Sequence, residues 1–187
     1  LWGMPYALPG PTNKEHETIE AWLRAGAPIT PAPPLSDQAV QLIGQWEMFL
    51  NERSLKTQLM ARYIYEHLFM GHIHFQSLPP REFYRLVRSK TPPGQPVVEI
   101  NTVRPYDDPG VERVYYRFEK IHSTIMLKTH MVVELDDQRL ARYRELFIQP
   151  EWLEPPHLMP YDDRDSANPF MVYAQIPPSS RYRFLLD

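Results

Sequence analysis

Proline constrains this chain more than any other residue: 21 of its 187 residues are proline, with doublets at Pro33-Pro34, Pro79-Pro80, Pro92-Pro93, Pro155-Pro156 and Pro177-Pro178. Proline fixes φ, removes an N–H donor and pushes the residue before it out of the helical region. A chain punctuated this way builds short elements joined by stiff, extended connections. That excludes a bundle of long helices.

The chain can still bury a core, because 43% of its residues are hydrophobic and 12% aromatic. Its length fits one domain, or one domain with a tail belonging to a neighbour. A net charge of -3 and a pI near 6.2 exclude a general nucleic-acid binder, which needs surplus cations to displace counterions. Fifteen of the 20 cations are Arg, the side chain suited to bidentate binding of phosphate or carboxylate. There is no Cys, so these residues contain no disulfide, no thiolate zinc site and no covalent c-type haem attachment. No run of about 18 apolar residues exists to span a bilayer, and no signal peptide is visible. The first residue is Leu1 and the last is Asp187, just after Phe184-Leu185-Leu186. The chain therefore reads as an internal piece of a longer protein, incomplete at its C-terminus.

Hydrophobic period changes along the chain. Thr12 and Glu15 form a capping-box pattern before a helix whose Ile19, Trp22 and Leu23 share one face, with Gly26 as its stop. Residues 29–35 are a Pro-rich linker between a first segment, 1–28, and the remainder, 36–187. Ser36 caps a second helix over about 37–51, and a third runs from Ser54 to about Met70, ending at Gly71. From His72 the pattern alternates as strands do, at 72–75, 83–89, 97–103, 111–121, 124–134 and 170–175, interrupted by one late helix from Asp136 to Phe147. The predicted class is α+β: N-terminal helices followed by a mainly antiparallel sheet with one late helix.

Three groups of residues carry candidate chemistry. Met4 lies in a Pro/Gly loop ahead of the first helix, an arrangement similar to the distal half of a cytochrome c domain, where a Met thioether is an axial haem ligand. The alternative is an ordinary loop Met before an amphipathic helix. His67, next to Glu66, ends the third helix, and His72 and His74 share one face of the following strand. Together they could form a metal site or proton relay, although the spacing matches no established ligand motif; the alternative is that they are structural. The third group is the Arg-rich block 83–118. Arg88, Arg104 and Tyr106 are its candidates for an anionic site such as a lipid phosphate. The competing reading is a network in which Asp107, Asp108 and Glu112 neutralise the arginines of a rigid hairpin.

The strings YIYEHLFMGHIHF at 63–75, FYRLVRSKTPPGQPVVEINTVRPYDDPGVERVYYRF at 83–118, KTHMVVELD at 128–136 and ANPFMVYAQIPPSSRYRFLLD at 167–187 resemble the bacterial fatty acid cis/trans isomerases. The resemblance covers most of the chain and is strongest in 63–118 and 166–187. It implies a periplasmic isomerase that turns cis double bonds of phospholipid acyl chains into trans ones, with peripheral membrane contact and no nucleic-acid partner. It also implies haem c in the full-length protein, bound through a CxxCH motif upstream, and residues 1–28 as the end of that cytochrome c-like domain, with Met4 as cofactor contact. This chain lacks CxxCH and would be inactive without the remainder of the parent polypeptide. Two other classes stay open from the residues alone: a metal-dependent oxygenase or hydrolase using the histidines, and a non-enzymatic lipid- or protein-docking module.

Overall fold

The computed structural model describes residues 9–29, 33–122 and 131–187. The chain divides into two compact units, residues 1–34 and 35–187.

In the first unit, α1 (Asn13–Arg24) begins as its sequence predicts. Thr12 Oγ1 accepts the Glu15 N–H at 3.3 Å, and Glu15 Oε2 accepts the Thr12 N–H at 2.7 Å. The helix ends where Gly26 and Ala27 take positive φ and donate to Leu23 and Trp22 at 3.0 and 2.9 Å. No residue of α1 is buried. Its apolar face, Ile19, Trp22 and Leu23, is about half exposed along its length.

The second unit opens with α2 (Asp37–Leu50) and α3 (Leu55–Leu68), capped by Ser36 and Ser54, whose hydroxyls accept the Ala39 and Thr57 N–H groups at 3.2 and 3.1 Å. At Gly71 the chain passes close to its neighbours. A Cβ there would sit 3.1 Å from the Leu68 carbonyl oxygen and 3.3 Å from Val133 Cγ2, so glycine lets β1 (His72–Phe75) leave α3 abruptly. β2 (Tyr84–Ser89), β3 (Tyr115–Lys120) and β4 (Val132–Leu135) complete a four-stranded sheet in the order β3-β2-β1-β4.

The sheet is mixed and not mainly antiparallel. β2 pairs antiparallel with β1 (Ile73↔Tyr84) and with β3 (Leu86↔Phe118), but β1 and β4 run parallel, with His72 opposite Val132 and Phe75 opposite Leu135. A parallel pair needs a long crossover, and 56 residues (76–131) separate β1 from β4. Two expected strands are absent. The 97–103 run makes only a bridge, Ser89 to Glu99, because Pro92, Pro93 and Pro96 interrupt the ladder just before it. The 170–175 run instead crosses a short helix, α5 (Pro169–Val172), in which Asn168 accepts the Phe170 N–H at 3.0 Å. Of the expected 124–134 strand, residues 124–130 lie outside the described residues.

The late helix is α4 (Asp137–Tyr143), capped by Asp136 and continued by a π turn over Arg144–Ile148. A further helix, α6 (Pro178–Leu186), was not anticipated. Its Phe184 lies 5.2 to 5.6 Å, ring to ring, from Tyr143, Tyr63 and Phe147. The core is therefore strongly aromatic, with Trp46, Phe49, Phe75 and Phe147 fully buried.

β3 is an edge strand, and edges expose unpaired main-chain groups. Two side chains one turn apart at the end of α2 cover it. Glu47 Oε1 accepts the Phe118 N–H at 2.9 Å. Asn51 Oδ1 accepts the Tyr116 N–H at 2.9 Å, and its amide donates to the Tyr116 carbonyl at 2.8 Å.

Candidate functional site

Three neighbourhoods in the second unit hold polar groups with the chemistry a site needs. The first contains the histidines. His72 and His74 both approach the Phe83 ring, at 6.3 and 5.8 Å between centroids. The two-residue step along β1 puts them on one face. His74 Nδ1 is 3.1 Å from the Glu82 carbonyl oxygen. The Glu82 carboxylate accepts from Tyr84 Oη and pairs with Lys120 at 3.0 Å. Burial would raise the Glu82 pKa, but the Tyr84 and Lys120 hydrogen bonds and the Lys120 and His74 charges outweigh it and hold the acid below its usual range. Burial and the adjacent Glu82 push the Tyr84 phenol up, so it is a donor at neutral pH. His67 has other neighbours. Its Nδ1 is 2.7 Å from the Tyr63 carbonyl, and its ring lies 4.2 Å from Tyr63 and 5.8 Å from Phe184. Among the described residues, no group of three or more His, Cys, Asp or Glu is placed to hold a metal ion.

The second neighbourhood is the Arg-rich block. Arg88 is fully buried; it donates to the Asp107 carbonyl at 2.8 Å and to Thr102 Oγ1, and its guanidinium lies 5.6 Å from the Tyr65 ring. It ties the 102–107 turn to β2. Arg104, by contrast, is exposed, with its guanidinium 5.8 Å from the Tyr106 ring. It lines a cavity of about 180 Å³ with Tyr65, Phe69, Val87, Ile100 and Thr102. Asp107 and Asp108 do not pair with these arginines in the described structure. They accept the main-chain N–H groups of Arg104 and Gly110, both at 2.8 Å. The arginines' partners come from elsewhere. Arg85 forks onto Glu99 at 2.9 and 2.7 Å and also reaches Glu119. Arg117, buried, pairs with Glu47 at 2.8 Å and donates to the carbonyls of Thr91, Pro92 and Gln95.

The third neighbourhood was not singled out from the sequence. Arg62 and Glu66, one turn apart on α3, form a nearly buried ion pair at 2.8 Å. The Arg62 guanidinium stacks 4.6 Å from the Tyr161 ring. Burial first, and then the Glu66 carboxylate, push the Tyr173 phenol far up, and Tyr116 is raised chiefly by its burial. The available signal was the i,i+4 pairing of Arg62 with Glu66.

Met4 lies outside the described residues. The described ones contain no helix long and apolar enough to cross a membrane.

The family model "Fatty acid cis/trans isomerase (CTI)" matches residues 1–187, the whole chain. No curated protein and no solved structure matches it. A family model matched from end to end takes in both units and all three neighbourhoods, and on that ground the chain belongs to the fatty acid cis/trans isomerase family.

Proposed function

We propose that this chain is part of an enzyme that converts cis double bonds in the acyl chains of membrane phospholipids to trans, working in the periplasm through peripheral contact with the bilayer. The observation that carries the reading is the family match over all 187 residues. The reaction moves no atoms between molecules. The π component of one C=C bond must be weakened, the bond rotated by half a turn and the π bond restored.

The polypeptide's part is to hold the acyl chain still on either side of the rotating bond and to keep water from it. Arg104 and Tyr106 supply an exposed cation beside an aromatic ring, a suitable contact for a phosphate at a membrane surface. The adjoining cavity of about 180 Å³ is smaller than the roughly 300 Å³ at which whole-ligand pockets begin. It would hold only a part of a lipid. His72 and His74, grouped about Phe83, and His67 remain the side chains proposed to assist the reaction.

Haem c is the cofactor this reading implies; when bound it would supply the electron-withdrawing chemistry that lowers the alkene's bond order. The chain has no Cys, so the covalent attachment cannot lie within it. We assign residues 1–28 to the closing segment of a haem domain, in which Met4 would be the residue contacting the haem. The half-exposed apolar face of α1 supports that assignment.

The test is product analysis. Full-length protein, incubated with dioleoyl phospholipid vesicles, should yield trans-octadecenoyl chains on gas chromatography of the methyl esters. If only free oleate is converted, the phospholipid assignment fails. If neither is converted by haem-replete protein, the isomerase reading fails.

A further inference from the structure

Arg62 is about 95% buried, and its Nε donates to Glu66 Oε1 at 2.8 Å. Its Nη2 is also buried, yet among the described residues no hydrogen-bond acceptor meets it. A buried donor without a partner costs about 1–3 kcal/mol, and more when the group is charged. Native interiors seldom tolerate one unless a ligand, ion or water completes it. The Tyr173 hydroxyl is buried as well, next to the Glu66 carboxylate. Glu66 is near enough to add to the effect of burial in keeping that phenol protonated.

Arg62 also lines a cavity of about 90 Å³, with Arg113, Tyr116, Leu158, Met159 and Tyr161. At about 30 Å³ per water, that space equals about three waters, enough for a small head group and too little for a whole lipid. Leu158 and Met159 form an apolar stretch of its wall. What is missing at Nη2 is an acceptor, and a guanidinium fork whose Nε is already engaged offers its Nη edge to a planar carboxylate or a phosphate. Charge limits the affinity. Glu66 already offsets Arg62, and Glu112, exposed, lines the same cavity as Arg113.

We propose that this cavity is a binding site for one anionic head group, a carboxylate or a phosphate, anchored on the Nη edge of Arg62, with an apolar stem leaving past Leu158 and Met159. The site is separate from the exposed Arg104 and does not depend on the isomerase reading.

Isothermal titration of the full chain with octanoate, octyl phosphate, octanol and inorganic phosphate tests it. At least one octyl anion should bind with a Kd on the order of 0.1–1 mM, and octanol should bind at least tenfold more weakly. Inorganic phosphate binding as tightly as octyl phosphate would keep the anion site and identify free phosphate as its occupant. Octanol binding as tightly as the anions, or no anion binding at roughly 10 mM, would overturn the proposal. Arg62→Lys keeps the charge beside Glu66 but loses the fork, and should weaken anion binding by about tenfold or more. Should that variant fail to fold, Leu158→Trp decides. It fills the cavity from an exposed position and should abolish binding with an unchanged melting temperature. Octanoate or octyl phosphate binding as tightly to Leu158→Trp as to the parent would overturn the site. None of these readouts is isomerase activity, so the outcome stands apart from the proposed function.

Discussion

Glu47 Oε2 accepts from Arg117 Nε at 2.8 Å in the interior, while Oε1 of the same carboxylate accepts the Phe118 main-chain N–H at 2.9 Å. One side chain thus neutralises a buried guanidinium and closes the open edge of β3. Removing one partner of a buried pair strands the other charge, typically at about 3–5 kcal/mol. Arg117→Met should lower unfolding free energy by about that much in urea titrations. The loss should exceed that of Arg85→Met, whose ion pairs with Glu99 and Glu119 are partly exposed. Equal losses would show that burial does not decide the matter.

Glu47 also carries a pH prediction with an unusual sign. Burial raises its pKa above the ordinary value near 4.5, against the opposing pull of the Phe118 N–H and Arg117. A folded-state pKa that is raised gives a stability contribution present below about 4.5 and lost as pH rises through the folded value. The stability gap between the parent and Glu47→Gln should therefore narrow as pH rises above about 4.5. Glu82 has the opposite sign. Its pKa is held below the ordinary value, so its contribution is present above that value and lost as pH falls through the folded one. The gap for Glu82→Gln should shrink on acidification. Urea midpoints followed from neutral pH down to well below 4.5 check both, and two gaps moving in the same direction would contradict the assignment.

The α6 helix rests on Phe184, whose ring contacts Tyr143, Tyr63 and Phe147. Truncating a buried Phe costs about 3–5 kcal/mol. Phe184→Ala should cost that much or release α6 locally, which hydrogen exchange over 178–186 would show as lost protection. Protection retained there would mean that the remaining contacts of α6 suffice.

How much of this was legible follows the range of each interaction. The caps at Thr12, Ser36, Ser54 and Asp136 are local, each satisfied within three residues, and the sequence displays them. The α6 helix has a local signal as well: Pro178 stands in its first turn, where proline suits a helix start, but no helix is predicted there from the sequence. The parallel pairing of β1 with β4 leaves no local mark, because alternation looks the same for either direction. The candidate site was least legible. Arg88 and Arg104 belong to one Arg-rich block, and only tertiary contacts make one a buried brace and the other an exposed cation. The unpartnered Nη2 of Arg62 is a three-dimensional fact with no counterpart in spacing.

Met4 offers a check on the first unit. The family reading makes its thioether an axial contact of haem, and the half-exposed Ile19, Trp22 and Leu23 face of α1 is what a helix closing such a domain would show. Met4→Ala in the haem-loaded full-length protein should change the axial-ligand absorption and shift the reduction potential. An unchanged spectrum and potential would remove Met4 from the ligands and leave α1 in need of another partner.

The last prediction separates Arg104 from Arg88. Arg104 is exposed beside Tyr106, and among the described residues none of its hydrogen bonds uses the guanidinium: its N–H donates to Asp107 and its carbonyl accepts from Thr102. Arg104→Gln keeps both main-chain bonds and should leave thermal stability within about 0.5 kcal/mol. Binding to anionic vesicles should weaken, more at low salt than at high, because a surface cation acts through a screened field worth about 1 kcal/mol near an anionic membrane. Arg88→Gln should do the reverse. Arg88 is buried, and its fork holds Asp107 and Thr102, so its loss frees the 102–107 turn and lowers stability. Protein that remains folded would still carry Arg104 and should bind vesicles better than Arg104→Gln does. Stability lost at Arg104 with vesicle binding unchanged would move the phosphate contact off this turn. The family membership would stand, since it rests on the whole chain.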